Sequence, residues 1–415
     1  MIETLFPRRD VAERLRQGLF GPYMDELGAY LTQQRFSTDT IRRSLSAAGR
    51  FCDWLSAQGL SLGDAQQATV ARYLSELGRT RSGGRMHVAQ GLHHSVRFLH
   101  QKGLVASTLA SALELTPAEK WLRSFEQYST QVAGAAASTC QRYRPILRRF
   151  LAERFGAGTL DWASLSADDL AKFARQEVSA RKNFGRKVPS TALRAMLHYL
   201  VFCGAVRRGL EGAIPTIRQW KHAALPLQLT EQQIAAVLAS SQETPAGLRD
   251  HAVLLLLARV GMRAKEVARL SIDEVDWLGG RLVLRAGKTH RERILPLSEE
   301  VGQALATYLT RGRPESKSRV IFLRSLAPFE PLEGASAVSR IARRHLLRTG
   351  YPEGAGLGAH LFRHTVASLM VCHGATFKDV ADVLGHQSLE TTGIYAKLDL
   401  TALAQVALPW NGGTQ

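Results

Sequence analysis

The stretch Leu384-Gly385-His386-Gln387-Ser388-Leu389-Glu390-Thr391-Thr392-Gly393-Ile394-Tyr395 sets a histidine nine residues ahead of a tyrosine, on what reads as a helix–turn–helix surface. Upstream stands His360-Leu361-Phe362-Arg363, and further back Val260-Gly261-Met262-Arg263-Ala264-Lys265-Glu266-Val267. Two arginines, two histidines and a tyrosine therefore follow one another over about 130 residues. That set is what attack of a tyrosine on a phosphodiester requires.

During such an attack phosphorus becomes five-coordinate and its oxygens gain negative charge. Arginine forks fixed in advance suit those oxygens best. Arg263 and Arg363 are the candidates. Gly261 allows a tight turn before Arg263, which opens a helix carrying Glu266, so side chain and helix N-terminus point the same way. The plainer alternative is a surface pair between Arg263 and Glu266. Tyr395 offers a hydroxyl that forms a stable ester and can later be released, although a lone tyrosine at helical spacing would read as core. His386 suits donation to a phosphoryl oxygen, and His360 suits taking the tyrosine's proton or orienting it. Each histidine alone would read as structural, and the weight rests on the five together. The leaving 5′ oxygen needs a proton. Lys288 stands at an expected hairpin tip, Arg285-Ala286-Gly287-Lys288-Thr289, a place suited to reaching that oxygen from the minor-groove side. A lysine chosen for a polar turn is the alternative, and His290, Arg291 and Arg293 compete for the role.

Bulk properties point to the same partner. The 415 residues imply two to four domains, and 45% apolar residues suffice for packed cores. There are 54 Lys+Arg against 36 Asp+Glu, a formal charge of +18. That excess calls for a polyanion and a strong salt dependence. Its spread along the whole chain favours nucleic acid over a membrane surface. The longest strongly apolar run, about Ala252 to Ala258, is far short of a membrane span. Met1 to Arg16 is charged and shows no secretory signal. Cys52, Cys140, Cys203 and Cys372 form no CxxC pair, so they read as reduced, mostly buried thiols of a cytoplasmic protein. Cys372-His373 lacks a second ligand pair, and no metal site is expected.

The N-terminal half repeats itself. Thr40, Arg43, Arg50 and Phe51 recur as Thr139, Arg142, Arg149 and Phe150. Met24, Leu27 and Tyr30 match Leu122, Phe125 and Tyr128; Leu92, Val96, Phe98, Leu99, Gly103 and Val105 match Leu193, Leu197, Tyr199, Leu200, Gly204 and Val206. A period near 100 residues is too long for a solenoid unit and predicts two copies of a small all-helical domain. Each copy should hold four helices: Tyr23 to Gln33 or Lys120 to Tyr128; one after Ser37-Thr38 or Ser138-Thr139, where a hydroxyl caps it; Thr69 to Leu77 or Ala167 to Glu177; and His87 to Gln101 or Ser190 to Phe202. Gly103 and Gly204 suit left-handed caps. Basic residues gather on the second helix and the entry to the fourth. In the first copy these are Arg42, Arg43 and Arg50 with Arg79, Arg81 and Arg85. In the second they are Arg142, Arg144, Arg148 and Arg149 with Arg181, Lys182, Arg186 and Lys187. A solvated face is the bland reading for each, and the matching distribution favours DNA-backbone contacts.

A linker, 211–227, carries Pro215 and Pro226 with Arg218, Lys221 and His222 and reads as an extended basic tether. The next domain opens on a capping box, Thr230 with Gln233. A mostly apolar helix, about Leu248 to Arg259, should be central. Arg281 to Arg285 and Arg291 to Pro296 should form a β-hairpin. Ser298 should cap a helix from Glu299 to Leu309. Helices broken by glycines should follow, and a short apolar helix should run from Thr401 to Leu408. The expected fold is thus mainly α with a small β-hairpin: 1–115 and 116–210 helical, 211–227 linker, 228–400 α+β, and 401–415 a terminal helix and tail.

These motifs resemble those of the tyrosine recombinase (phage integrase) family. Gly-Met-Arg263-Ala-Lys-Glu-Val resembles its first-arginine box, Lys288 its hairpin lysine, His360-Leu-Phe-Arg363-His-Thr-Val-Ala its HxxR box, and Leu-Gly-His386 with Tyr395 its final box. The match covers about Leu229 to Leu400, and the helical copies resemble more weakly the family's SAM-like core-binding domain. The resemblance implies that Tyr395 forms a 3′-phosphotyrosyl link and frees a 5′ hydroxyl. Arg263, Arg363 and His386 would hold the phosphate, Lys288 would be general acid, and His360 general base or positioner. It implies neither metal nor nucleotide cofactor. It also implies double-stranded DNA with specific recombination sites, and a homo-tetramer on that DNA, with partner recombinases left open. The terminal helix would then dock on a neighbour. Two departures are visible: two core-binding copies instead of one, and Lys397 where histidine is frequent. The first reading is an integrase or transposase of a mobile element. The alternatives are a resolver of chromosome dimers, a catalytically inactive DNA-binding architectural protein, and a strand-relaxing topoisomerase.

Overall fold

The computed structural model describes residues 2–77, 82–105, 116–181, 185–217, 227–285, 292–354, 356–385, 393 and 395. Lys182, Lys221, Lys288, His386 and the expected helix at 401–408 lie outside the described residues, as do Arg79, Arg81 and the side chain of Arg85. The chain divides into two compact units, Ser107–Trp220 and the remainder, Met1–Ala106 with Lys221–Gln415. It is mostly helical with one small antiparallel sheet.

The first copy contains α1 (Ile2–Leu5), α2 (Arg9–Gln17), α3 (Met24–Gln33), α4 (Thr38–Ala57), α5 (Gln67–Glu76) and α6 (Ser82–Gln101). The second contains α7 (Pro117–Gln131), α8 (Ala137–Phe155), α9 (Ala167–Ser179) and α10 (Lys187–Phe202). Repeat partners occupy equivalent core positions: Leu27, Phe51, Leu92 and Leu99 are buried in one copy, and Phe125, Phe150, Leu193 and Leu200 in the other. Each would expose a large apolar side chain if its helix rotated, so the shared apolar spacing fixes the same bundle twice. Gly103 and Gly204 end α6 and α10 with φ near +70°.

The repeat is not perfect. Ser37 caps α4 by accepting from the Thr40 amide. In the second copy α8 starts at Ala137 after an uncapped Ala136, which moves Ser138 and Thr139 into the first turn. Two further helices, α1 and α2, precede the four expected in the first copy. The charged run Arg8–Arg16 hides Ala12 and Leu15, three apart on one buried helical face. Cys52 and Cys140 are buried, but Cys203 and Cys372 are exposed at helix ends, which corrects the expectation of mostly buried thiols. Among the described residues no helix is long and apolar enough to cross a membrane.

In the C-terminal part α11 (Glu231–Ala239) opens on the reciprocal Thr230–Gln233 capping box. α12 (Pro245–Ala258) buries every residue from Ala252 to Leu257 and forms the centre of the core. α13 (Ala264–Arg269) precedes β1 (Val275–Asp276), β2 (Arg281–Leu284) and β3 (Arg293–Pro296). β2 pairs antiparallel with β3, Leu282 opposite Leu295, and β1 adds a third strand opposite Leu282 and Arg281. β1 is too short to carry a period-2 signal, which is why the hairpin alone was legible. α14 (Glu299–Thr307) begins after Ser298, although the serine makes no side-chain cap bond. α15 (Gly334–Arg348), α16 (Ala359–Cys372) and α17 (Phe377–Leu384) complete the described elements. The Leu229 amide donates to Thr365 Oγ1 on α16 at 2.9 Å, tying the domain's first residues to the helix that carries the site.

Candidate active site

Three successive carbonyls at the end of α17 gather the arginines. Arg293 Nη1 donates to Val383 O at 2.7 Å, Arg363 Nη2 to Leu384 O at 2.5 Å, and Arg263 Nη2 to Gly385 O. The last turn of a helix leaves such carbonyls without intrahelical partners and carries partial negative charge, so cations collect there. Gly385 turns the chain out of α17 at φ +63°. The positive φ favours glycine, and a Cβ there, 2.7 Å from Arg293 Cδ, would push that arginine side chain aside.

Arg363 is 6% exposed. Its Nη1 also donates to Gly261 O at 2.8 Å. Gly261 takes φ +68°, and a Cβ there would lie 2.9 Å from Leu384, so the Gly261 turn seats both α17 and the arginine. Burial, with Arg263 nearby, pulls Arg363 down to about 10, where it still carries its charge at neutral pH.

Arg263 is the residue just before α13. Its amide and its Nη1 both donate to Glu266, each at 2.8 Å. The surface pair weighed from sequence is present, but half-buried, with the second nitrogen turned to Gly385. Glu266 Oε2 also lies 2.8 Å from Arg293 Nη2, although that N–H is not aimed along the contact. Burial raises the Glu266 carboxyl, but Arg293 and Arg263 more than offset this and hold it below its ordinary range. Arg263 and Arg293 thus share one carboxylate while Arg363 donates to carbonyls, leaving positive charge available to an anion.

His360 lies one turn before Arg363 and His364 on α16. Burial, then Arg363 and Arg263, lower its pKa, which favours the neutral ring. The Tyr395 hydroxyl is held by His364, with Nδ1 and Oη 2.6 Å apart. Tyr395 itself is 1% exposed, packed with Val366, Val371, Val380 and Leu384. Burial pushes its hydroxyl up to about 12. The structure therefore brings Arg263, Arg363, His360 and Tyr395 together. Sequence reasoning missed His364, named Arg293 only as a competitor of Lys288, and named Glu266 only as a surface partner of Arg263. His364 stands at i+4 from His360, a spacing that puts both on one face and was available as a signal.

The basic residues singled out in the helical copies are diversely placed. Arg42 Nε donates to Leu5 O, Arg43 pairs with Asp39, and Arg50 donates to Ser46 O. Arg149 and Arg181 both pair with the nearly buried Glu177. Arg186 and Lys187 stand at the start of α10. A basic face that the sequence reading passed over lies on α15, where Arg340, Arg343, Arg344 and Arg348 surround a shallow hollow with Leu347.

Residues 228–401 match the model of the phage integrase family. The chain is also 34% identical over 401 residues to "Putative integrase/recombinase y4rA" of Sinorhizobium fredii (strain NBRC 101917 / NGR234), covering 96% of each protein. The chain belongs to the phage integrase family. It is a tyrosine-type site-specific DNA recombinase. Tyrosine recombinase XerC of Lacticaseibacillus casei (strain BL23) is 27% identical, covering 69% of the recombinase and 94% of XerC. The fold is shared with XerH recombinase in its post-cleavage complex on palindromic difH, at TM-score 0.55 and 18% identity over 76% of the recombinase and 94% of that chain.

On the reading of Arg363 as a phosphate-holding residue, Arg363→Lys is expected to cut the rate of strand cleavage about 10²- to 10³-fold, the range for losing one fixed donor to a developing oxyanion. Lysine keeps the charge but cannot span Gly261 O and Leu384 O as a planar fork does. Single-turnover cleavage would check this. An Arg363→Lys enzyme within threefold of the parent would show that charge alone suffices.

Proposed function

We propose that this recombinase is the integrase or transposase of a mobile element, cleaving through Tyr395 to leave a 3′-phosphotyrosyl link and a free 5′ hydroxyl. The observation that carries this is α16, which presents Arg363 to the arginine cluster and, one residue later, holds the Tyr395 hydroxyl. Arg263 and Arg363 hold the scissile phosphate, joined by His386. His360 contributes to the same pocket, and Lys288 is general acid to the leaving oxygen. Energy of the phosphodiester is conserved in the tyrosyl ester, so the reaction asks for no metal and no nucleotide. Four protomers exchange strands in two steps on paired sites.

The mobile-element role is supported by likeness to an integrase/recombinase over 96% of the chain, both helical copies included. Resolution of chromosome dimers is a second reading, favoured by the XerC likeness, which covers only 69% of the chain. The two helical copies grip DNA through Arg42, Arg43, Arg50 and Arg85 and through Arg142, Arg149, Arg181, Lys182, Arg186 and Lys187, with Lys221 on the tether. The α15 arginines add a further phosphate-facing surface. Each lost contact lowers the salt slope of binding by about one unit.

The test uses nicked suicide duplexes taken from the two DNA ends that flank the gene. The wild-type protein should give a covalent protein–DNA band, and peptide mapping should place the nucleotide on Tyr395. A band mapped to another residue would overturn the assignment. Relaxation of plasmid lacking those ends would favour a topoisomerase.

A further inference from the structure

We propose that His364 takes the proton of the Tyr395 hydroxyl as that oxygen attacks phosphorus, and returns it when the strand is rejoined. This rests on the reading of Tyr395 as nucleophile and adds a residue to which no role has been given. The contact is direct: Nδ1 and Oη are 2.6 Å apart, and the rings lie 5.8 Å apart at 54°. Both partners are fixed. His364 follows Arg363 on a helix whose other face is core, and the tyrosine ring is wedged among Val366, Val371, Val380 and Leu384. Proton transfer needs this reach and this rigidity before anything else.

The protonation states agree with the geometry. Burial, followed by the nearby His360 and Arg363, disfavours the charged His364 ring. In the Nε2–H tautomer of the neutral ring Nδ1 accepts from the Tyr395 hydroxyl, and the buried phenol keeps its proton until attack begins. As the Oη–P bond forms, the O–H bond breaks and the proton passes to Nδ1. As the P–O5′ bond breaks, the 5′ oxygen takes a proton from the general acid. The imidazolium appears only when negative charge is growing on the phosphoryl oxygens, so the two charges offset one another. His360 lies further along the same face, its ring 6.2 Å from that of His364, among the groups that hold phosphate.

The experiment is single-turnover cleavage of the nicked duplex by the full chain, with gel-shift affinity measured in parallel. His364→Ala should bind DNA as wild type does but form the covalent adduct about 10²-fold more slowly. Added imidazole should restore at least a tenfold gain. His364→Gln, whose amide accepts a hydrogen bond but not a proton, should stay slow and also controls for folding. Three results would overturn the assignment: His364→Ala within threefold of wild type, a Gln variant as fast as wild type, or a slow Ala variant indifferent to imidazole. Tyr395→Phe separates the two layers. If that variant still forms the adduct, the nucleophile reading itself falls; if the adduct needs Tyr395 but not His364, this assignment alone falls.

Discussion

Tyr395→Phe should abolish the covalent adduct while leaving DNA affinity within about twofold of wild type. No other change should separate chemistry from structure so cleanly. The ring is 1% exposed and packs against Val366, Val371, Val380 and Leu384, and phenylalanine fills the same volume with the same contacts. What disappears is one oxygen and its bond to His364. Loss of a single half-buried hydrogen bond is worth about 1 kcal/mol in stability, a small fraction of what a domain has. The melting transition should therefore move by a few degrees at most. The chemical step, by contrast, has no substitute oxygen in that place. Adduct formation is read by denaturing gel and affinity by gel shift. An adduct that persists in the Tyr395→Phe protein would remove Tyr395 from the reaction.

The fold was legible in the sequence where a period or a cap carried it. The two bundles followed from apolar residues recurring at matching offsets, and the buried pairs Phe51/Phe150 and Leu99/Leu200 are those residues. Thr230 with Gln233 announced α11 because the capping box is a local, reciprocal bond. The elements missed were those whose signal is weak by nature: β1 is two residues long, and α2 buries just Ala12 and Leu15 beneath a run of charge. In the site, residue types and order named the arginines and the tyrosine. They did not reveal that Val383, Leu384 and Gly385 present consecutive carbonyls to Arg293, Arg363 and Arg263. Those bonds join residues 90 to 122 positions apart in two of the three cases, and no local pattern encodes such a meeting. The same holds for Glu266. From sequence it was the competitor of a phosphate for Arg263; in the structure it orients Arg263 and lies against Arg293.

A second large effect concerns stability and comes from a cluster away from the chemistry. Asp250 on α12 has a side chain only 4% exposed. It accepts from Arg249 Nη2 at 2.8 Å and from Arg249 Nε at 3.0 Å, and from Arg344 and His345 on α15. Arg249 in turn donates to Leu323 O at 3.1 Å, and Ser240 Oγ lies 2.6 Å from His345 Nδ1. Removing the one carboxylate would leave buried guanidinium and imidazole groups without their shared acceptor. Breaking a buried pair in this way costs about 3–5 kcal/mol, far more than loss of an exposed pair such as Arg8 with Asp10. Asp250→Asn is thus expected to lower the denaturant midpoint of the catalytic domain sharply. The network also carries a pH signature. Burial raises the Asp250 carboxyl, but His345, Arg249 and Arg344 more than offset it, so its pKa lies below the ordinary aspartate value. A depressed carboxylate stabilises the fold above its unfolded pKa, and that contribution fades as pH falls through the folded pKa. Wild type should therefore lose more stability than the Asp250→Asn protein on moving from neutral to acid conditions, and the two curves should converge at low pH. An Asp250→Asn protein within 1 kcal/mol of wild type at neutral pH, with a parallel acid limb, would show that the arginines and histidine find other acceptors.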